Sequence, residues 1–292
     1  VTAAETPLRP LEGVTVLSLA PNLPGPWAAW RLRQWGAHVI KVEGPGGDMM
    51  SRMSTLIYER FSEGMAIVEV NLKNRAGRAQ LAKLADQAEI LVTSMRPSAA
   101  ERLGLPELAD RMSLAWVEVV GSEEDPEDPG HDLTYQAANG TIGGAGGDGG
   151  ADGPDVDVPR LPAVLVADVM GGERAAGQAL AALLQRRANV AAGRDGAVRV
   201  KVSLEQAVRD AAVTTDLTHS RAILGGTLPE YGIYACADGF VALAALEPHF
   251  KERMVELLGK SEDELTAAFA EQPAAHWVAF AKEHDLPIVP VR

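Results

Sequence analysis

Five short apolar runs rich in β-branched residues, separated by stretches of helical periodicity, limit what the first part of this chain can become. They are "VTVLSLA" (Val14–Ala20), "VIKVE" (Val39–Glu43), "AIVEVNL" (Ala66–Leu72), "ILVTSM" and "LAWVEVV". Runs of that length and composition form buried strands. Between the first two lies "PNLPGPWAAWRLRQWGAH", where Pro26 suits a first helical position, Gly36 suits a C-terminal cap, and Trp27 and Trp30 share a face. "NRAGRAQLAKLADQAE" predicts a second helix with Leu81, Leu84 and Ala88 on one side. Strands alternating with helices require crossover connections. The pattern therefore predicts an α/β fold, a Rossmann-like parallel sheet with helices on its faces.

The pattern lapses between Gly121 and Pro162, where "GSEEDPEDPG" and "GTIGGAGGDGGADGPDVDVP" predict loops. "LVADVMGGERAAGQALAALLQRRA" predicts a long helix with Ala176, Leu180, Leu183 and Leu184 on its buried stripe. A strand "AVRVKVSL" and a helix "EQAVRDAAVTTDL" follow, then a hairpin in "IYACADGFVALAAL" around Asp238-Gly239, and helices in "PHFKERMVELLG" and "EDELTAAFAEQ". The change of texture near residue 225 predicts a large domain over 1–224 and a smaller α+β domain over 225–292.

Charge and composition exclude several classes of function. A formal net charge of −13 argues against nucleic-acid binding, because a phosphate backbone would be repelled. The single cysteine, Cys236, allows no internal disulfide, and the N-terminal "VTAAETPLRPLEG" does not resemble a signal peptide. No apolar run approaches membrane-spanning length, so a cytoplasmic protein without a membrane partner is expected. The histidines at 38, 131, 219, 249, 276 and 284 show no paired metal-ligand spacing, and no metal is expected. "EGPGGD" (Glu43–Asp48) follows a strand but spells neither a dinucleotide fingerprint nor a P-loop, and the Gly140–Gly153 tract fits a loop better than a nucleotide cradle. No G-x-S-x-G elbow is present.

Two ionisable positions remain. His131 stands at a loop-to-helix junction beside Asp132, and Asp168 ends "AVLVAD" where the long helix begins. Taken alone, His131 fits a solvated or capping residue and Asp168 an ordinary N-cap. A carboxylate at a helix start behind a strand is also where α/β enzymes place working groups.

The whole chain resembles a known family. "LEGVTVLSLAPNLPGPWAAWRLRQWGAHVIKVEGPGGD", "VNLKNRAGRAQLAKLADQAEILVTSMRPSAAERLGL", "GHDLTYQAANG", "LVADVMGG" and "YGIYACADGFVALAALEPHF" occur in the order found in the family III CoA-transferase superfamily (CaiB/BaiF type), which includes the α-methylacyl-CoA racemases. The resemblance implies an interlocked homodimer and a CoA thioester as substrate, with no permanently bound cofactor. It makes Asp168 the central catalytic residue: a nucleophile in the transferases, one of two acid/base groups in the racemases. The racemases' other group is the histidine of a "GHD" motif, here Gly130-His131-Asp132, which tips the balance toward racemisation, whereas "QAANG" looks more like the transferase version. As binding residues the resemblance implies Leu72 and Lys73 of "NLK", Ser94 and Met95, Arg102 toward the nucleotide, and Gly130, Asp132 and Tyr135 lining the pocket; it does not fix Arg96.

Inversion next to a thioester needs one group on each side of the carbon, a base to remove the proton and an acid to return one. Neutral His131 with protonated Asp168 would serve one direction, imidazolium with carboxylate the other. The enolate oxygen needs donors, for which backbone N–H groups at the start of the helix are expected. Asp168 would need a raised pKa, so burial has to outweigh the helix dipole. Three departures accompany the resemblance. Ala235 stands where the racemases lead one to expect a glutamate, Gly44 stands where an arginine is expected, and the chain stops at "IVPVR" where family members continue. The expected function is racemisation or epimerisation of a 2-methylacyl-CoA. The alternatives are an acyl-CoA:carboxylate CoA-transferase using Asp168 alone, or a catalytically weakened paralogue that binds CoA esters.

Overall fold

A computed structural model describes residues 8–142, 144–145, 158–218 and 222–291. Most of the Gly140–Gly153 tract, and His219, lie outside the described residues. In chain order come β1 (Thr15–Leu19), α1 (Pro24–Gln34), β2 (His38–Glu43), α2 (Met50–Met53), α3 (Thr55–Ser62), β3 (Ala66–Glu69), α4 (Arg75–Ala85) and β4 (Ile90–Thr93). Next are α5 (Pro97–Arg102), α6 (Leu105–Arg111), β5 (Ala115–Val120) and α7 (Asp132–Ala138). A two-stranded ladder of β6 (Gly144–Ala145) and β7 (Val158–Pro159) precedes α8 (Val166–Ala191), β8 (Val198–Ser203) and α9 (Leu204–Ala212). The remainder is α10 (Thr215–Thr218), β9 (Tyr231–Cys236), β10 (Gly239–Ala244), α11 (Pro248–Leu257), α12 (Glu262–Ala270), α13 (Ala274–His284) and β11 (Ile288–Pro290).

The chain divides into two compact units, Val1–Ile142 with Pro159–Ala212, and Gly143–Val158 with Val213–Arg292. The larger holds a six-stranded sheet of order β3-β2-β1-β4-β5-β8, every pairing parallel, as in the α/β architecture that the alternating pattern predicts. Alternation along the strands feeds two cores. Val16, Val39, Ile90 and Val117 meet α1 and α8 on one face, while Leu17, Ile40, Leu91 and Trp116 meet α4 and α6 on the other. Strand order reverses between β1 and β4. Chains leaving these two strands at their carboxyl ends turn opposite ways, and the crevice this opens is where such sheets hold ligands.

Local details differ from the sequence expectations for identifiable reasons. Helix α1 begins at Pro24 rather than Pro26, while Gly36 (φ 99°) does follow its last turn. On α8 the buried face is made of small residues, Gly171, Gly172, Ala175, Ala176, Ala179 and Ala182, with Leu183. A Cβ on Gly172 would come within 2.8 Å of Trp27, so α1 and α8 pack too closely for a leucine stripe. Leu180 is therefore only partly buried, and Leu184, one position (about 100°) round the helix from Leu183, is 67% exposed.

The smaller unit pairs β10 antiparallel with both β9 and β11. Cys236 pairs with Gly239, so the hairpin turns at Ala237-Asp238, one residue earlier than predicted. Its core packs Tyr234, Val241 and Leu243 against Met254, Leu265, Phe269 and Trp277. Trp277 stands on α13, which with β11 lies beyond the elements that periodicity predicts. Among the described residues no helix is long and apolar enough to cross a membrane.

Candidate active site

A cavity of about 310 Å³ opens at the switch point of the large unit. Asn22 beyond β1, Ser94 to Arg96 beyond β4, and Val120 and Gly121 at the end of β5 form its rim. His131 and Asp168 both line it, so the fold brings the two ionisable positions to one cavity.

Each is held by local structure. His131 occupies the N-cap position of α7 (φ −139°, ψ 165°), in a capping box with Thr134. The Thr134 hydroxyl accepts from the His131 N–H at 3.0 Å and donates to the His131 carbonyl at 2.8 Å. The capping reading of His131 thus holds, and the residue also lines the cavity.

Asp168 is not an N-cap. Helix α8 starts at Val166 after Leu165, so Asp168 sits inside the first turn, and the residues before it form no strand. The cap comes from Asp132, which is 4% exposed. Its Oδ1 accepts from the Ala167 N–H (2.7 Å) and the Asp168 N–H (3.3 Å), and its Oδ2 accepts from Gln136 Nε2 (2.6 Å). Asp132 therefore lines no part of the cavity and instead ties α7 to α8, which carries Asp168.

The same bonds correct the expected oxyanion donors. The first-turn amides of α8 are taken, Val166 N–H by the Val164 carbonyl (3.0 Å), Ala167 and Asp168 by Asp132, and Val169 by the Leu165 carbonyl (3.0 Å).

Burial raises the Asp168 carboxyl to about 6, the charge of Asp132 adds to the rise, and the neighbouring His131 opposes it. A group titrating there can carry a proton or release one near neutrality, as general acid–base work requires.

The other predicted residues fall into three groups. Ser94, Met95, Gly130 and Tyr135 line the cavity. Leu72 and Met95 line a second one of about 170 Å³, beside the Glu43–Asp48 turn, with Gly44 on its wall. Lys73 and Arg102 are exposed and line neither. Gly130 has a steric task, since a Cβ there would lie 2.2 Å from the Tyr135 hydroxyl. Arg96, Asn22 and Gly121 line the cavity outside the predicted set, and Asn22 adopts a left-handed backbone (φ 69°) rarely seen away from glycine. A signal for them was present, because each closely follows the end of a predicted strand. A larger cavity of about 470 Å³ lies along β5 and β8; there Arg199 is stacked 5.0 Å over Trp116 and bonded to Asp110 at 2.7 Å.

Fold and cavity define an α/β protein with an imidazole and a raised carboxyl group lining one cavity at the switch point of a parallel sheet. The sequence profile of CoA-transferase family III matches residues 11–292, and the chain belongs to that family. It is 27% identical over 319 residues to the alpha-methylacyl-CoA racemase of Homo sapiens, covering 96% of this chain and 77% of the racemase. It is 28% identical over 296 residues to the probable fatty acyl-CoA transferase Rv3272 of Mycobacterium tuberculosis, covering 91% and 73%. A crystal structure of Rv3272 superposes with a TM-score of 0.77 at 26% identity, covering 98% of this chain and 86% of the other. A CAIB/BAIF family protein from Brucella suis shares the fold, with a TM-score of 0.76 at 19% identity and coverages of 98% and 84%.

Proposed function

We propose that the chain acts on acyl-CoA thioesters and inverts the α-carbon of a 2-methylacyl-CoA by proton transfer between His131 and Asp168. The reading is carried by one observation: an imidazole and a carboxyl raised to about 6 line the same cavity. One group takes the α-proton while the other returns a proton to the opposite face, and the intermediate is an enolate. Family membership and the activities for which the relatives are named support the substrate class. Ser94, Met95, Gly130 and Tyr135 would contact the thioester and its pantetheine arm, with Leu72 further along. Lys73 and Arg102 would meet the nucleotide phosphates from the exposed surface. No permanently bound cofactor is required. The partner in this reading is a second copy of the chain. The outward-exposed Ile233, Phe240 and Val289 on β9, β10 and β11 support a covered surface there.

A second reading has its own support. Among the described residues no hydrogen bond from another side chain engages the Asp168 carboxylate, which leaves it available as a nucleophile for CoA transfer. Incubation of 2-methylacyl-CoA in D2O separates the readings. Racemisation predicts α-deuterium incorporation that falls at least about 100-fold in His131→Ala. Deuterium-free product together with a hydroxylamine-trapped Asp168 would replace it with transfer. CoA-ester binding without either signal would leave a binding paralogue.

A further inference from the structure

The walls of the cavity come from separate segments of the chain. Ser94 to Arg96, which follow β4 and lead into α5, form part of one; Pro126 and Asp128 to His131, at the end of the loop between β5 and α7, form part of another. His131 is exposed, so little packing fixes it. Connecting loops are ordinarily the more mobile parts of a fold, because few buried contacts hold them. A group that moves a proton cannot tolerate such freedom: a misplacement of about 1 Å can cost about 100-fold in rate.

One side chain joins the two segments. Glu127 Oε1 accepts from the Ser98 N–H at 2.7 Å and Oε2 from the Ser98 hydroxyl at 2.8 Å, so a single residue of α5 holds both carboxylate oxygens. Hydrogen bonds to an ionised acceptor are about twice as strong as neutral ones. These two bonds, and then the charges of Arg96 and Arg102, hold the Glu127 carboxyl below the usual carboxylate range. The Glu127 N–H donates to Asp125 Oδ1 at 3.2 Å, which ties the residue back to its own loop. Among the described residues, the other hydrogen bond or ion pair from 122–130 to a different element is Arg209 to Glu124, at 3.6 Å and with the Glu124 side chain 83% exposed. Only Asp128, Pro129 and Gly130 separate Glu127 from His131. Pro129 has a fixed φ. Gly130 and Gly121 close against the Tyr135 hydroxyl, to which a Cβ would come within 2.2 Å and 2.1 Å. So short a link has little slack, and where Ser98 holds Glu127 decides where His131 stands.

On the racemisation reading above, we infer that Glu127 is a positioning residue for His131: by gripping Ser98 it sets where the imidazole meets the cavity that Asp168 also lines. The grip, not the charge, performs this task. Glu127→Gln can keep both contacts, with its carbonyl accepting from the Ser98 N–H and its amide donating to the Ser98 hydroxyl.

The test is α-deuterium exchange of a 2-methylacyl-CoA in D2O. Glu127→Ala should lower kcat about 10-fold, with KM changed by less than about threefold. Ser98→Ala removes one of the two bonds and should fall between that variant and wild type, while Glu127→Gln should stay within about threefold of the wild-type kcat. In a His131→Ala background Glu127→Ala should have no further effect, because a residue that acts through His131 then has nothing left to position. An equal fall in both backgrounds overturns the inference and makes Glu127 a support for the fold alone. A Glu127→Ala enzyme with wild-type kcat overturns it too, as does a Glu127→Gln enzyme as impaired as Glu127→Ala. All three results leave the racemisation reading standing. A wild-type protein that exchanges no α-proton overturns that reading and the inference together.

Discussion

Two clusters of ionisable side chains sit at carboxyl ends of strands in the same sheet, and they treat charge in opposite ways. In and after β2, Lys41 is 3% exposed yet contacts Glu43 Oε1 and Asp48 Oδ2, both at 2.8 Å, and its ammonium lies 4.4 Å over the Tyr58 ring. The remaining oxygens are used as well: the Asp48 N–H donates to Glu43 Oε2 at 3.2 Å and the Met50 N–H to Asp48 Oδ1 at 2.9 Å, while Tyr58 adds a second bond to Glu43 Oε1 at 2.9 Å. Burial, then Glu43, raises the Tyr58 phenol to about 12. At the switch point, by contrast, the Asp168 carboxyl is raised by burial and by a like charge, and among the described residues the Tyr135 hydroxyl has no hydrogen-bond partner. The lesson is about where polar atoms are left unsatisfied. The buried charge beside β2 is matched atom for atom, whereas the groups proposed to exchange protons in the cavity are not.

The comparison breaks if the first cluster proves dispensable. Lys41→Met would leave Glu43 and Asp48 facing each other with no cation between them, so the native state should lose about 3–5 kcal/mol. Urea unfolding at pH 7 measures it, and a loss below about 1 kcal/mol would show that the pairing is not structural. Asp132→Ala comes next. It strands the Ala167 and Asp168 amides and takes one of two acceptors from Gln136 Nε2, which keeps the Val164 carbonyl, at a cost of about 2–3 kcal/mol in the same assay. Removing its charge also takes away the second cause of the Asp168 rise, so the acid limb of the exchange profile should move to lower pH. An unmoved limb would mean that another group governs it.

Much of this contrast was legible in the residues before any fold was known, and some was not. The strands of the large unit announce themselves because their alternation is read locally: "VTVLSLA" and "ILVTSM" are apolar on both faces and become central strands with Leu17 and Leu91 fully buried. Helix α13 escaped since only Trp277 and Ala281 of its residues are buried, too few to make a stripe. The boundary of α8 was misjudged for a different reason. Aspartate at the start of an apolar helical pattern is the commonest cap, but the cap here is Asp132, on another helix. Nothing near residue 168 encodes that bond. The same distant contact decides which amides are free, and so it hid the commitment of the expected oxyanion donors. Tyr135 was visible as a member of "GHDLTY", yet the reason for Gly121 emerges only when the loop folds back over the hydroxyl.

The smallest of these effects sharpens the comparison most, because its sign opposes that of the other two. Asp168 has a carboxyl near 6 in the folded chain against an ordinary value of 3.8. The native state therefore holds this proton more tightly than the unfolded state does. Its stabilising influence is complete below about pH 4, declines as pH rises, and is gone once pH passes about 6. Above that point the wild type buries a carboxylate beside Asp132. Asp168→Asn, similar in shape and never charged, should match the wild type at pH 4 and exceed it by about 2 kcal/mol at pH 7.5, while α-proton exchange and CoA transfer both disappear. Paired thermal melts at the two pH values read the difference directly. A variant less stable than wild type at pH 7.5 would mean that the Asp168 carboxylate has protein partners after all, like those of Lys41, and belongs with the charges that merely support the fold.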